Sequence, residues 1–265
     1  MNVMGIITAV AVVGGVGLLI SIFLSVFSNY FKVEVDEKEE AVLKALPGNN
    51  CGECGYPGCS GLAAAIAKGE APVDGCPVGG ANVAAVVAGI MGQEAGDLTK
   101  KVAYVKCKGT CDKAKDNYEY YGVEDCVMAA GVQGGGKKAC SYGCLGYGSC
   151  MKACQFGAIS IVDGIAVIDK EKCTSCGKCI ATCPKKLIEL IPYDASHAVG
   201  CSSHDKGPVV MKACTQGCIG CGICAKNCPT GAITVNDFVA HIDQDKCTGC
   251  GVCQEKCPKK VILNA

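Results

Sequence analysis

Arginine and tryptophan are both absent from the 265 residues, and aromatic side chains make up only 5% of them. Nucleic-acid binding leans on arginine forks and aromatic stacking surfaces, so no nucleic-acid partner is expected. Histidine is scarce as well: His197, His204 and His241 all lie outside the cysteine runs. That weighs against zinc sites of mixed Cys/His type, and the three fit surface or packing roles. No G-x-G-x-x-G follows a predicted strand and no P-loop occurs, so no nucleotide site is recognisable. No group of side chains suggests acid–base or nucleophilic work, and no catalytic residue is expected.

Cysteine, by contrast, is abundant, with 25 residues. Near the end the chain reads Cys218-x2-Cys221-x2-Cys224-x3-Cys228-Pro229, then Cys247-x2-Cys250-x2-Cys253-x3-Cys257-Pro258. This is the ligand spacing of two-cluster ferredoxins, in which three close cysteines and one distant one hold each [4Fe–4S] cube. Two other uses of cysteine compete. Disulfide frameworks belong to small exported domains, and an odd number leaves a thiol over. Structural zinc favours two separated C-x2-C pairs. A C-x2-C-x2-C run instead packs thiolates around one centre, which suits a cube. One-electron transfer is the chemistry this implies.

Charge is balanced overall but split along the chain. Residues 1–99 carry 4 lysines against 10 acids, and residues 100–265 carry 21 against 15. Many of the later lysines flank cysteines, among them Lys106, Lys108, Lys137, Lys138, Lys185, Lys226 and Lys259. They compensate the negative charge of thiolate-bound cubes, and they could also steer an acidic redox partner.

Residues 1–31 contain no charged side chain. The run from Met4 to Phe27 would be about 36 Å long as a helix, enough to cross a hydrocarbon core of ~30 Å. It has neither the basic start nor the short apolar stretch of a cleaved signal peptide, so an uncleaved anchor in the lipid bilayer is expected. Lys32, Lys38 and Lys44 follow it, which by the positive-inside rule puts the bulk of the chain on the cytoplasmic side of the cell (inner) membrane, single-pass. Gly14, Gly17, Ser21, Ser25 and Ser28 recur at three- and four-residue steps. Such a stripe of small groups permits close docking to other membrane subunits, although generic Gly and Ser content reads the same way.

A first cysteine group follows the acidic stretch 33–40: Cys51, Cys54, Cys59 and Cys76, in a loop whose Gly52, Gly55 and Gly58 let the backbone wrap closely. Ser60–Lys68 is expected to form a short helix capped by Ser60, and Ala81–Met91 a second one. The four cysteines close one [4Fe–4S] site.

The C-terminal half repeats itself. Residues 154–184 align without gaps on 228–258, an offset of 74. Each copy predicts a hairpin with a turn at Asp163-Gly164 or Asn236-Asp237, then a cysteine triplet followed by a short helix. Because the fourth cysteine of a run serves the other cube, Cys218, Cys221, Cys224 and Cys257 form one set, and Cys247, Cys250, Cys253 and Cys228 another. In the earlier copy Cys173, Cys176, Cys179 and Cys154 form a third. Tyr147 stands where the later copy has Cys221. Cys140 is therefore expected to join Cys144, Cys150 and Cys183. Five cysteines remain, Cys107, Cys111, Cys126, Cys201 and Cys214, of which four could hold a sixth cube; the bland use of such thiols is apolar packing.

The expected fold is α+β. It comprises a single N-terminal transmembrane helix (1–31), a small Cys-rich [4Fe–4S] domain (32–99), a Cys-containing connector (100–139) and two tandem ferredoxin-like two-cluster modules (140–200 and 201–265). The anchor, the four-cysteine group directly after it and the ferredoxin motifs, in this order, resemble the B subunits of Rnf complexes over essentially the whole chain. The doubled module resembles the longer, anaerobe-type form. The resemblance implies an electron-transfer subunit of a membrane oxidoreductase that takes electrons from soluble reduced ferredoxin, reduces NAD⁺ and moves ions. The flavin and NAD sites would then lie on partner subunits. A paralogous complex that keeps a redox-sensing transcription factor reduced would use the same wire.

Overall fold

The computed structural model describes residues 3–30, 36–94 and 99–265. Lys32, Glu34 and the expected boundary at 31/32 lie outside the described residues. Helix α1, Val3–Tyr30, has 28 residues and no charge to end it. Its side chains reach outward, with Val13 72% and Leu19 69% exposed. Side chains are described without a break over 11–27. Among the described residues no helix is long and apolar enough to cross a membrane.

Three helices build the next unit: α2 (Glu37–Ala45), α3 (Gly58–Ala67) and α4 (Gly80–Met91). Asp36 caps α2 by accepting from the Lys38 amide at 2.9 Å. Gly92, at φ 67°, ends α4 in the left-handed conformation. Val42, Leu62, Ile66 and Val87 form the core between the three. Ser60 does not cap α3 as expected. The helix begins two residues earlier, after Pro57, because the Asn50 carboxamide already takes the Cys59 amide at 2.8 Å.

The rest of the described chain contains four two-stranded antiparallel sheets. Strand β1 (Lys101–Val105) pairs with β4 (Ile188–Pro192), and β2 (Ile159–Val162) with β3 (Ile165–Ile168). Further on, β5 (His197–Val199) pairs with β8 (Ile262–Asn264), and β6 (Ile233–Asn236) with β7 (Val239–Ile242). Each module is thus one hairpin plus a pair formed by its first and last strands. Their cores are Ile159, Ile165, Leu187 and Ile188 in the first, and Ile233, Ala240, Val261 and Ile262 in the second.

This pairing runs across two of the expected boundaries. Strand β1 lies in the connector 100–139 yet belongs to the first module, and β5 precedes residue 201 yet belongs to the second. Sequence proximity obscured both, because each module carries an insertion between its first strand and its cysteine triplet. The first insertion holds α5 (Cys126–Ala130) and a short 3-10 turn at Gln133–Gly135, and the second holds α8 (Gly207–Ala213).

The first hairpin turns at Asp163 and Gly164, with φ 47° and 73°. The second turns one residue later than expected, at Asp237 and Phe238, with φ 46° and 64°. Asn236 is held in the ladder opposite Val239, so Phe238 takes a conformation that glycine would adopt more cheaply.

Candidate iron–sulfur sites

Short helices begin inside the cysteine triplets and set the spacing of the thiols. They are α6 (Ser149–Ala153), α7 (Lys178–Thr182), α9 (Ile223–Lys226) and α10 (Val252–Lys256). A glycine at positive φ, Gly148, Gly177, Gly222 or Gly251, precedes each and turns the loop into the helix. The third thiol of each triplet, Cys150, Cys179, Cys224 or Cys253, then falls in the first turn and is buried.

Three of the expected sets each line one cavity: Cys154 with Cys173, Cys176 and Cys179; Cys218 with Cys221, Cys224 and Cys257; and Cys228 with Cys247, Cys250 and Cys253. In the N-terminal unit Cys54, Cys59 and Cys76 pack against one core, and Cys51 opens the same loop half-buried.

The fifth set differs from the expectation. The cavity that holds Cys144, Cys150 and Cys183 is completed by Cys126, not by Cys140. Tyr147 fills the place of the missing cysteine and packs on Tyr120 at 5.5 Å between ring centroids, which lays the insertion across the site. Asp125 caps α5 by accepting from the Val127 amide at 2.9 Å and the Met128 amide at 3.3 Å. The Ser149 hydroxyl donates to Asp125 at 2.7 Å and accepts from the Cys126 amide at 2.7 Å. Cys126 is thereby tied to the helix that bears Cys150. The Ser149 bond, with the backbone amides, holds the Asp125 carboxyl below its ordinary range.

Cys140 instead lines a further cavity with Cys107, Cys201 and Cys214. Cys107 follows β1 and Cys201 follows β5 at the same two-residue step, while Cys140 and Cys214 stand 74 apart. Each module therefore contributes two equivalent thiols. The insertions are joined there: Ala114 and Cys214 form a bridge, and the Lys115 amide donates to Ala213 at 2.9 Å. Gly109 is closely packed there, since a methyl on it would meet the Ala114 methyl at 3.2 Å and the Cys214 sulfur at 3.5 Å. Cys111 is exposed and lies against the Gly164 turn, outside these cavities.

The donor sets suit iron–sulfur cubes. A cube spreads four thiolates over four irons, so its sulfurs stand around a volume. Among the described residues no group of three or more His, Cys, Asp or Glu is drawn together on a single ion. Backbone amides point at several of the thiols: Gly79 at Cys76 (3.3 Å), Ala103 at Cys173 (3.4 Å) and Leu187 at Cys183 (3.5 Å). Such bonds stabilise thiolate and tune a cluster. A buried donor without a protein partner among the described residues, the Thr174 hydroxyl, belongs to a residue lining a cysteine cavity, where sulfur would accept. Burial pushes the thiols of Cys150 and Cys201 up to about 12, and those of Cys179 and Cys224 up to about 11. Cys228 goes the other way: its slight burial is outweighed by the Thr230 hydroxyl and nearby amides, which lower it.

Repeated hairpin modules around cysteine-lined cavities define an iron–sulfur protein of the ferredoxin class. The family model "4Fe-4S dicluster domain" matches residues 139–187 and 217–261, and the model "Putative Fe-S cluster" matches residues 46–78. The chain is 49% identical to the B subunit of the Na(+)-translocating ferredoxin:NAD(+) oxidoreductase complex of Acetobacterium woodii, over 91% of this chain and 72% of that one. It is 44% identical to the B subunit of the ion-translocating oxidoreductase complex of Methanosarcina acetivorans, over 91% of each. With the B subunit of the proton-translocating ferredoxin:NAD(+) oxidoreductase complex of Clostridium ljungdahlii it shares 42% identity, over 86% of this chain and 81% of that one.

The chain belongs to the family of B subunits of the Rnf ion-translocating oxidoreductase complexes. It is an electron-transfer subunit of such a complex, works alongside other subunits and carries iron–sulfur clusters.

Proposed function

We propose that this subunit takes electrons from reduced ferredoxin, conducts them through six [4Fe–4S] centres and delivers them to membrane partners of a ferredoxin:NAD⁺ oxidoreductase. The single observation that carries this is the sorting of cysteines into cavities. Four thiols line each of five cavities, and Cys51, Cys54, Cys59 and Cys76 supply a further set. Cubes held there would supply one-electron transfer. The folded chain presents the thiols, shields them from water and aims backbone amide donors at sulfur. The modules are proposed to span 101–192 and 197–264, a reading that the β1–β4 and β5–β8 pairs support.

Helix α1 is proposed as the single-pass anchor. It is uncharged through its 28 residues, and described apolar side chains such as Val13, Leu19 and Leu24 are exposed, which suits lipid. Lys38 and Lys44, with Lys32 outside the described residues, favour a cytoplasmic location for the remainder. Ferredoxin is proposed to dock on the lysine-rich C-terminal half. Lys226, Lys256 and Lys260 are exposed there, close to the cysteine cavities of the second module.

Metal analysis tests the cofactor content. Anaerobically purified chain should be brown, with about 24 irons, four for each of six cubes. A colourless protein that holds zinc would sink the proposal. Stopped-flow reduction by ferredoxin should slow as salt rises, since screening weakens steering. A rate indifferent to ionic strength would remove the lysine docking surface.

A further inference from the structure

Lys138 is a buried cation that no described ion pair accounts for. It is 3% exposed, whereas its neighbour Lys137 is ion-paired with Asp116 at 3.0 Å. The Lys138 ammonium donates to two backbone carbonyls, Gly109 at 2.7 Å and Gly164 at 3.1 Å. Carbonyl dipoles alone compensate a buried charge poorly, so an anion should be close by.

Its two carbonyl partners place Lys138 between two cavities. Gly109 lines the cavity of Cys107 and Cys214. Gly164 is the hairpin turn that presses on Gly146, in the loop between Cys144 and Cys150. The cavities share a wall, because the Cys144 amide of one donates to the Cys107 sulfur of the other at 3.4 Å.

We infer that Lys138 is a shared electrostatic positioning residue that raises the reduction potentials of the two adjoining iron–sulfur centres together and keeps them matched for electron exchange. The inference rests on the proposal that both cavities hold cubes. Reduction adds negative charge to a cube, and a fixed cation buried beside it stabilises the reduced form with little screening. A cation on the shared wall acts on both centres at once, whereas a surface lysine would be screened.

The test is an EPR-monitored redox titration of the full iron-loaded chain as wild type, Lys138→Gln and Lys138→Arg. Gln keeps donor groups and loses the charge, and Arg keeps the charge. Two centres should shift to lower potential in Lys138→Gln, the others should stay in place, and Lys138→Arg should titrate close to wild type. Loss of about eight irons in Lys138→Gln, two cubes' worth, with full retention in Lys138→Arg would also support a shared charge. Unchanged potentials at full iron content would overturn the inference. So would equal iron loss in both variants, which would make Lys138 a packing residue. Iron content of the wild type distinguishes failure of the cluster proposal from failure of the Lys138 role. About 20 irons in the wild type, with no further loss in Cys214→Ser, would remove the centre between the modules, and the shift at the Cys144 centre would then judge Lys138.

Discussion

At the residue scale the thiol sorting hangs on single side chains. Cys126 joins Cys150 only because Asp125 and Ser149 hold the start of α5 against α6. Cys126→Ser should lower iron by about four per chain, one cube's worth, and Cys111→Ser should leave it unchanged. Iron and sulfide assays on matched preparations check this; equal losses would return Cys111 to the ligand pool. Gly146 bears a second constraint. It sits at φ 80°, and a methyl there would lie 2.6 Å from the Gly164 carbonyl oxygen. Gly146→Ala should therefore destabilise the fold by about 1–3 kcal/mol, from the left-handed backbone and the contact with rigid main chain. Chemical denaturation of the loaded protein measures this. The same contact recurs 74 residues later, between Gly220 and Phe238. The repeat is thus kept in the packing of its turns as well as in its cysteines.

At the element scale each module closes by joining its first strand to its last. Val199 faces Ile262 across the β5–β8 pair, and Ile262 is fully buried among the cysteines of the second module. Ile262→Ala should cost about 2–5 kcal/mol through lost burial and a cavity. Thermal melts followed by cluster absorbance should show bleaching begin in the second module, whose centres would lose protection first. Simultaneous bleaching of all centres would mean that the modules melt as one unit. The turn at Asp237-Phe238 and the helix starting at Gly58 were off by one or two residues from their sequence signals. Ladder register within the hairpin, and a bond from Asn50 to the Cys59 amide nine residues on, overrode the local signals there.

At the scale of the whole molecule, loading and stability respond to pH in opposite senses. Burial raises Cys150 and Cys201 to about 12, above the ordinary thiol value of about 8.5. Cluster binding needs thiolates, so loading releases protons and should be more complete at pH 9 than at pH 7. The iron-free fold keeps its thiols neutral. Its stability contribution is full below about pH 8.5 and is lost as pH rises towards about 12. Reconstitution yield and iron-free denaturation midpoints across that range check both signs. Removal of residues 1–30 should release the chain from membranes with its iron content intact, as measured by fractionation and metal assay. Loss of clusters on truncation would mean that α1 supports the cysteine units as well as anchoring them.

The sequence by itself determined the chemistry, the cysteine triplets, the internal repeat and an uncharged N-terminal helix, because ligand spacing and hydropathy are local properties of the chain. Three of the thiol sets could be read across the repeat for the same reason, since their ligands lie on hairpins and triplets of fixed length. Only the tertiary structure placed Cys126 with Cys144, moved Cys140 into the cavity between the modules, and matched Cys107 with Cys201. The insertions after β1 and β5 differ in length, so Cys107 and Cys201 do not share the offset of 74 that relates Cys140 to Cys214. Strand pairing and the joined insertions bring them together, and the buried charge of Lys138 becomes visible only once those walls are in place.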